Sequence, residues 1–130
     1  MRILQPPGWP RPRGYANGIA AEGRLVFVAG QIGWDATGTI VSDDLVDQLR
    51  QTLENTIAVL REGGAGPEHV ARMTWYVTDR REYLARAREI GEVYRGLMAR
   101  HYPAMAVVEV KALIEDRAKI EIETTAVVPR

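Results

Sequence analysis

The feature that most restricts what this chain can fold into is one apolar stripe. Leu45, Leu49, Leu53, Ile57 and Leu60 recur at helical spacing. Ser42, Asp43 and Asp44 stand just before it as an N-cap and acidic first turn, and Gly63-Gly64 ends it. A helix with a single long apolar face needs an apolar surface to lie on. The surfaces on offer are Leu25–Gly30, His69–Thr78, Ala106–Leu113 and Ala118–Val128, all rich in the branched and aromatic residues that suit strands. A second helix is predicted after Asp79-Arg80-Arg81-Glu82, where an acid sits at the cap and a glutamate three residues on. Its stripe is Tyr83, Ala87, Ile90, Tyr94, Leu97 and His101, closed by Pro103. Gly91 inside that helix costs about 1 kcal/mol relative to alanine, which points to a close approach by another group.

The N-terminal residues 1–14 read as a proline-rich arm. Prolines 6, 7, 10 and 12 lack amide donors and fix φ, so residues 5–14 suit neither a strand interior nor a helix. Trp9 is expected to pack from this arm onto the domain. Tyr15–Ala20 and Leu25–Gly30 read as a β-hairpin around Ala21–Arg24. The expected order is therefore β-β-α-β-α-β-β, one α+β domain over residues 1–130. Its mixed β-sheet carries the two helices packed on one face. The opposite face is too apolar to stay wet. Leu25–Gly30 is apolar on both sides, and in the last strand Thr125 and Val127 share a side with Glu121 and Glu123. Covering that face with copies of the same chain predicts an oligomer.

Charge and composition exclude several functions. Lys and Arg total 17 and so do Asp and Glu, so no net charge draws in nucleic acid or anionic lipid. There is no cysteine, hence no disulfide, thiol nucleophile or thiolate zinc site. The two histidines, His69 and His101, lie in different segments and form no pair for metal binding or acid–base work. No apolar run approaches the length of a membrane span and no leader pattern opens the chain, so the cytoplasm is the expected location.

The motifs taken in order resemble those of the RidA family, also called YjgF or L-PSP endoribonuclease-like. They are Gly14-Tyr15, Val28-Ala29-Gly30-Gln31, Gln48 to Asn55 with Leu60, and Thr74-Trp75-Tyr76-Val77-Thr78-Asp79. After these come Tyr94, Pro103-Ala104, Val108-Glu109-Val110, Leu113, and Lys119-Ile120-Glu121-Ile122-Glu123 with Ala126. The resemblance implies a chorismate-mutase-like fold assembled as a homotrimer, its sheets packed into a central barrel. Three clefts for a small-molecule ligand then lie between subunits. The best-known members hydrolyse reactive enamines and imines to a 2-keto acid and ammonia with no metal or cofactor; some relatives are described as ribonucleases.

The same resemblance assigns candidate site residues. Glu121 matches a glutamate that positions the attacking water, and Tyr15, Gly30 and Gln31 match residues that contact the ligand, with Ala29 where relatives carry serine. Gly91 stands where an asparagine often lines the cleft, and Val107 where several members have cysteine. The sharpest departure is Met105, at the position of an arginine that grips the substrate carboxylate. A methionine cannot pair with a carboxylate, and losing such a bidentate contact costs roughly 2–5 kcal/mol where the partner is desolvated. This argues against ordinary 2-imino acids as substrates. The first reading is a hydrolase or deaminase-like enzyme for a small enamine or imine; the alternative is a non-catalytic trimeric metabolite binder. Lys111 and Arg117 are the basic residues closest in sequence that could replace the missing charge. A ribonuclease ranks low, because the chain has no basic stripe with interleaved aromatics. Glu121 also has a plain structural reading, a strand glutamate paired with Lys119 or Arg117. Trp34 and Trp75 are expected in the core or an interface.

Overall fold

The computed structural model describes residues 1–130. Its elements are β1 (Arg2–Leu4), β2 (Gly18–Ala20), β3 (Arg24–Gln31), α1 (Leu45–Glu62), β4 (Val70–Val77), α2 (Arg80–Ala85), α3 (Ala87–Met98), β5 (Ala104–Glu109) and β6 (Ile120–Val128). A short 3₁₀ turn, Pro67–His69, leads into β4. The main sheet has the order β3-β6-β4-β5, antiparallel except for the parallel pair β4–β5. The mixed sheet with helices on one face is thus present. No helix is long and apolar enough to cross a membrane.

Side chains alternate across a strand, and the register shows which ones share a face. Trp75 pairs with Ile122 and Val107, and Met73 with Thr124 and Met105, on the side that meets the helices. There the stripe predicted for α1 is fully used: Leu49, Leu53 and Leu60 are inaccessible, and they share one core cluster with Met73, Trp75, Ile120, Ile122 and Met98. Asp44 caps α1 by accepting the amide of Asp47. Arg86 then clamps the helical layer, donating to Asp44 Oδ1 at 2.8 Å and to both Glu89 oxygens at 2.7 and 2.8 Å.

Two amide side chains of α1 bond outside the helix, while the buried hydroxyls of Thr52 and Thr56 donate to carbonyls one turn back. Gln48 donates to the carbonyls of Ser42 and Arg117 and accepts the amide of Lys119. Asn55 donates to the carbonyls of Ile32 and Trp34. These two residues therefore hold the loops that flank the sheet.

Four expectations are corrected. The hairpin does not form: β2 pairs with β1, and β3 pairs with β6. The three-residue β2 offers β3 far less ladder than the nine-residue β6, so the long-range partner wins. Residues 2–4 form strand β1 just before the prolines begin, and Trp9 is 59% exposed instead of packed down. The second helix is broken at Arg86, whose φ of −105° and ψ of 14° leave helical geometry while its guanidinium makes the clamp. The strand expected over 106–113 runs from Ala104 to Glu109, because β4 ends opposite Glu109 and offers no further partner.

Candidate functional site

A cleft of about 550 Å³ opens at the β5 edge of the sheet, on its helical side. Trp75, Tyr94, Met105 and Val107 form its inner wall, and Tyr83, Ala87, Ile90 and Gly91 form the wall from α2 and α3. Arg13, Gly14, Tyr15, Arg95 and Tyr102 complete the rim. Tyr15 is placed there because the amide of Ala16 donates to the carbonyl of Pro103 at 2.9 Å, which ties the end of the arm to the start of β5.

The aromatic wall is closely packed. Tyr94 stacks on Tyr102 with ring centres 5.5 Å apart and 13° between planes, and it tilts against Trp75 at 6.1 Å. The Tyr94 hydroxyl donates to the carbonyl of His101. Burial pushes the phenols of Tyr83 and Tyr94 above their ordinary pKa, so both remain neutral donors at physiological pH. The indole N–H of Trp75 is buried and has no acceptor within the chain, an unusual state for a donor in a packed wall.

Glu121 lies elsewhere. It pairs in register with Tyr76, on the open face of the sheet, next to β3. Its carboxylate accepts no hydrogen bond, and a Cβ added to Gly30 would collide with it, 2.8 Å from Cδ. Glycine at position 30 lets the carboxylate lie against β3, and a Cβ there would displace it. Glu121 is a strand residue without the expected basic partner, since Lys119 pairs with Glu82 at 3.2 Å and Arg117 with Asp43 at 3.1 Å. Gln31 folds its amide onto the carbonyl of Ala29. Glu123, beside Glu121, is exposed and accepts the Tyr76 hydroxyl at 2.7 Å.

The candidates thus fall into two groups. Tyr15, Gly91, Met105 and Val107 share the cleft; Gly30, Gln31 and Glu121 sit toward the other edge and, for Glu121, on the other face. Lys111 and Arg117 line a separate depression with Thr78 and cannot supply charge to the cleft. Trp34 is outside the cleft, whereas Trp75 serves both core and cleft. Sequence reasoning missed Arg13 and Arg95 as cleft residues. The one available signal was the glycine four positions before Arg95, a gap on the helix that a long side chain from the next turn can fill.

This architecture matches a known family over nearly the whole chain, with residues 10–128 fitting the model described as Endoribonuclease L-PSP. The chain belongs to that family. A RutC family protein of Pyrococcus horikoshii is 40% identical over 119 residues, covering 90% of each chain. The human 2-iminobutanoate/2-iminopropanoate deaminase is 29% identical over 114 residues, covering 87% of this chain and 79% of its own. A crystal structure of a Rid family protein from Yersinia pestis, described as of unknown function, superposes with a TM-score of 0.82 at 33% identity over 98% of both chains. The L-PSP family thus includes deaminases of small imines, and the fold of this chain is the RidA/YjgF fold.

Proposed function

We propose that this L-PSP family protein is a hydrolase of the deaminase type. It acts on a small enamine or imine in clefts between the subunits of a homotrimer, in the cytoplasm and without a metal or cofactor. The observation that carries this reading is the division of the candidate residues. An apolar cleft with Tyr15 and Met105 at one sheet edge lacks a base. An unpaired carboxylate, Glu121, stands at the other edge against Gly30 and lacks a pocket. A second copy that lays its β3 side, with Glu121, against the first copy's β5 edge joins the two halves. It also covers the part of the open face where Leu25 and Phe27 are exposed.

In that joined site Glu121 takes a proton from water as the water attacks the C=N carbon, then returns it to the departing nitrogen. The balance is R₂C=NH + H₂O giving R₂C=O + NH₃, and an enamine enters after tautomerising to the imine. The Tyr15 phenol and the backbone at Gly30 orient the substrate.

One observation favours the alternative of a non-catalytic metabolite binder: Met105 forms the cleft wall where a carboxylate clamp would be needed for short 2-imino acids.

Ammonia release from freshly generated 2-iminobutyrate and 2-aminoacrylate separates the readings. Glu121→Gln is expected to lower kcat about 10²–10⁴-fold on any substrate that the wild type turns over; unchanged turnover removes the role of Glu121. Met105→Arg is expected to raise turnover of these short acids. A silent wild type with an active Met105→Arg variant supports the binder, because the frame is then competent but the native cleft serves another ligand.

A further inference from the structure

Both formal charges lining the cleft are positive, and neither is used by the chain. Arg13 and Arg95 stand at its rim, no carboxylate lines it, and neither guanidinium makes an ion pair or hydrogen bond. Every other lining residue is aromatic, aliphatic or glycine.

The placement of Arg95 follows from helix geometry. Side chains on a helix lean toward its N-terminus and cover the turn before their own Cα. Arg95 therefore lies back over Gly91, one turn earlier and in the cleft wall. A Cβ at position 91 would sit 3.1 Å from one Arg95 terminal nitrogen and 3.7 Å from Cζ. Glycine leaves room for the end of the Arg95 side chain over α3 beside the cavity, and a side chain at position 91 would require it to shift. This gives a physical role to a helix-interior glycine that is otherwise a cost of about 1 kcal/mol. The guanidinium of this exposed side chain is unpaired within the chain, and its fork of N–H donors suits bidentate pairing with a planar anion.

We infer that Arg95, seated on Gly91 and assisted by Arg13, forms a carboxylate subsite at the cleft rim. The ligand is a small organic monoanion with an aromatic or bulky apolar body. The body lies on Met105, Val107 and Trp75, and its carboxylate points to the rim. This rests on the reading of the cleft as the ligand site and names the substrate class for it. The clamp has moved from the inner wall to the helix, so an acid must carry a body long enough to fill the space between. Short acids such as 2-iminobutyrate do not.

The test compares phenylacetate with phenylacetamide, which differ only in the charged end, by titration calorimetry on the assembled protein. The wild type is expected to bind phenylacetate at least tenfold more tightly, with the preference shrinking as salt rises from 0.05 to 0.5 M. Arg95→Met should abolish the preference while leaving phenylacetamide affinity within twofold, and Arg95→Lys should restore part of it. Equal binding of both probes by the wild type overturns the anion subsite and leaves the cleft as ligand site. So does a preference that survives in Arg95→Met. Binding of neither probe overturns the subsite together with the cleft. Loss of turnover in Glu121→Gln has no bearing on this binding, so the hydrolase reading and the subsite fail separately.

Discussion

The two faces of the four-stranded sheet are made by the same strands and have opposite fates. On the helical face Ile122 is 0% exposed and Trp75 2%, packed under α1 and α3. On the open face Phe27 is 71% exposed and Leu25 55%, with Val108 also uncovered. β3 shows the contrast within five residues, since Val26 and Val28 face the core while Leu25 and Phe27 face outward. The helical face is complete within one chain. The open face is mixed, with exposed Leu25, Phe27 and Val108 beside Thr74, Tyr76 and Glu123, and it is the face on which Glu121 stands unpaired. The two faces therefore differ in what completes them. Burial under the helices stabilises the protomer and shapes the cleft, whereas the uncovered side carries Glu121 beside the exposed Leu25 and Phe27.

The comparison can be broken most forcefully on the covered face. Leu53→Ala leaves a cavity between α1 and the sheet, and it is expected to lower stability by about 2–5 kcal/mol in denaturant melts. A loss below about 1 kcal/mol would mean that the helical face is not the stabilising one. The open face should respond in assembly instead. Phe27→Asp is expected to shift sedimentation from oligomer to protomer with the far-UV circular dichroism retained, since a charge at this exposed position alters the isolated protomer by only about 0.5 kcal/mol. An unchanged sedimentation coefficient would show that this face does not carry assembly.

The smallest effect tests how the helical layer is tied down. Hydrogen bonds from Arg86 hold the Asp44 and Glu89 carboxyls below their ordinary pKa values. Carboxylates with depressed folded-state values stabilise above their unfolded pKa, and that stabilisation is lost as pH falls through the folded value. Arg86→Ala should therefore melt slightly below wild type at pH 7, with the gap closing below about pH 4. A gap that persists in acid would assign the effect to packing of the arginine stem.

Much of the fold was legible in the residues. The α1 stripe, its cap at Asp44 and its glycine end follow from local chemistry and appear as expected. The pairing of β3 was not legible. Tyr15–Ala20 is adjacent in sequence and β-like, and only the competition with β6 across the chain decided against it. The site divides the same way. Gly30 and Glu121 could be flagged from motif positions, yet their contact is a through-space event between strands 90 residues apart.

Residue pattern was enough to establish α1, the segments of β3, β4 and β6, the absence of thiol chemistry and the exposed apolar residues of β3. These rest on periodicity and composition, which act over a few residues. Three outcomes came only with the three-dimensional fold: the candidate residues lie on two faces, Lys111 and Arg117 lie away from the cleft, and Arg95 lies over Gly91 beside it. Those outcomes depend on which long-range ladder closes and where each helix then lies, and packing free energy settles that only when the whole chain is assembled.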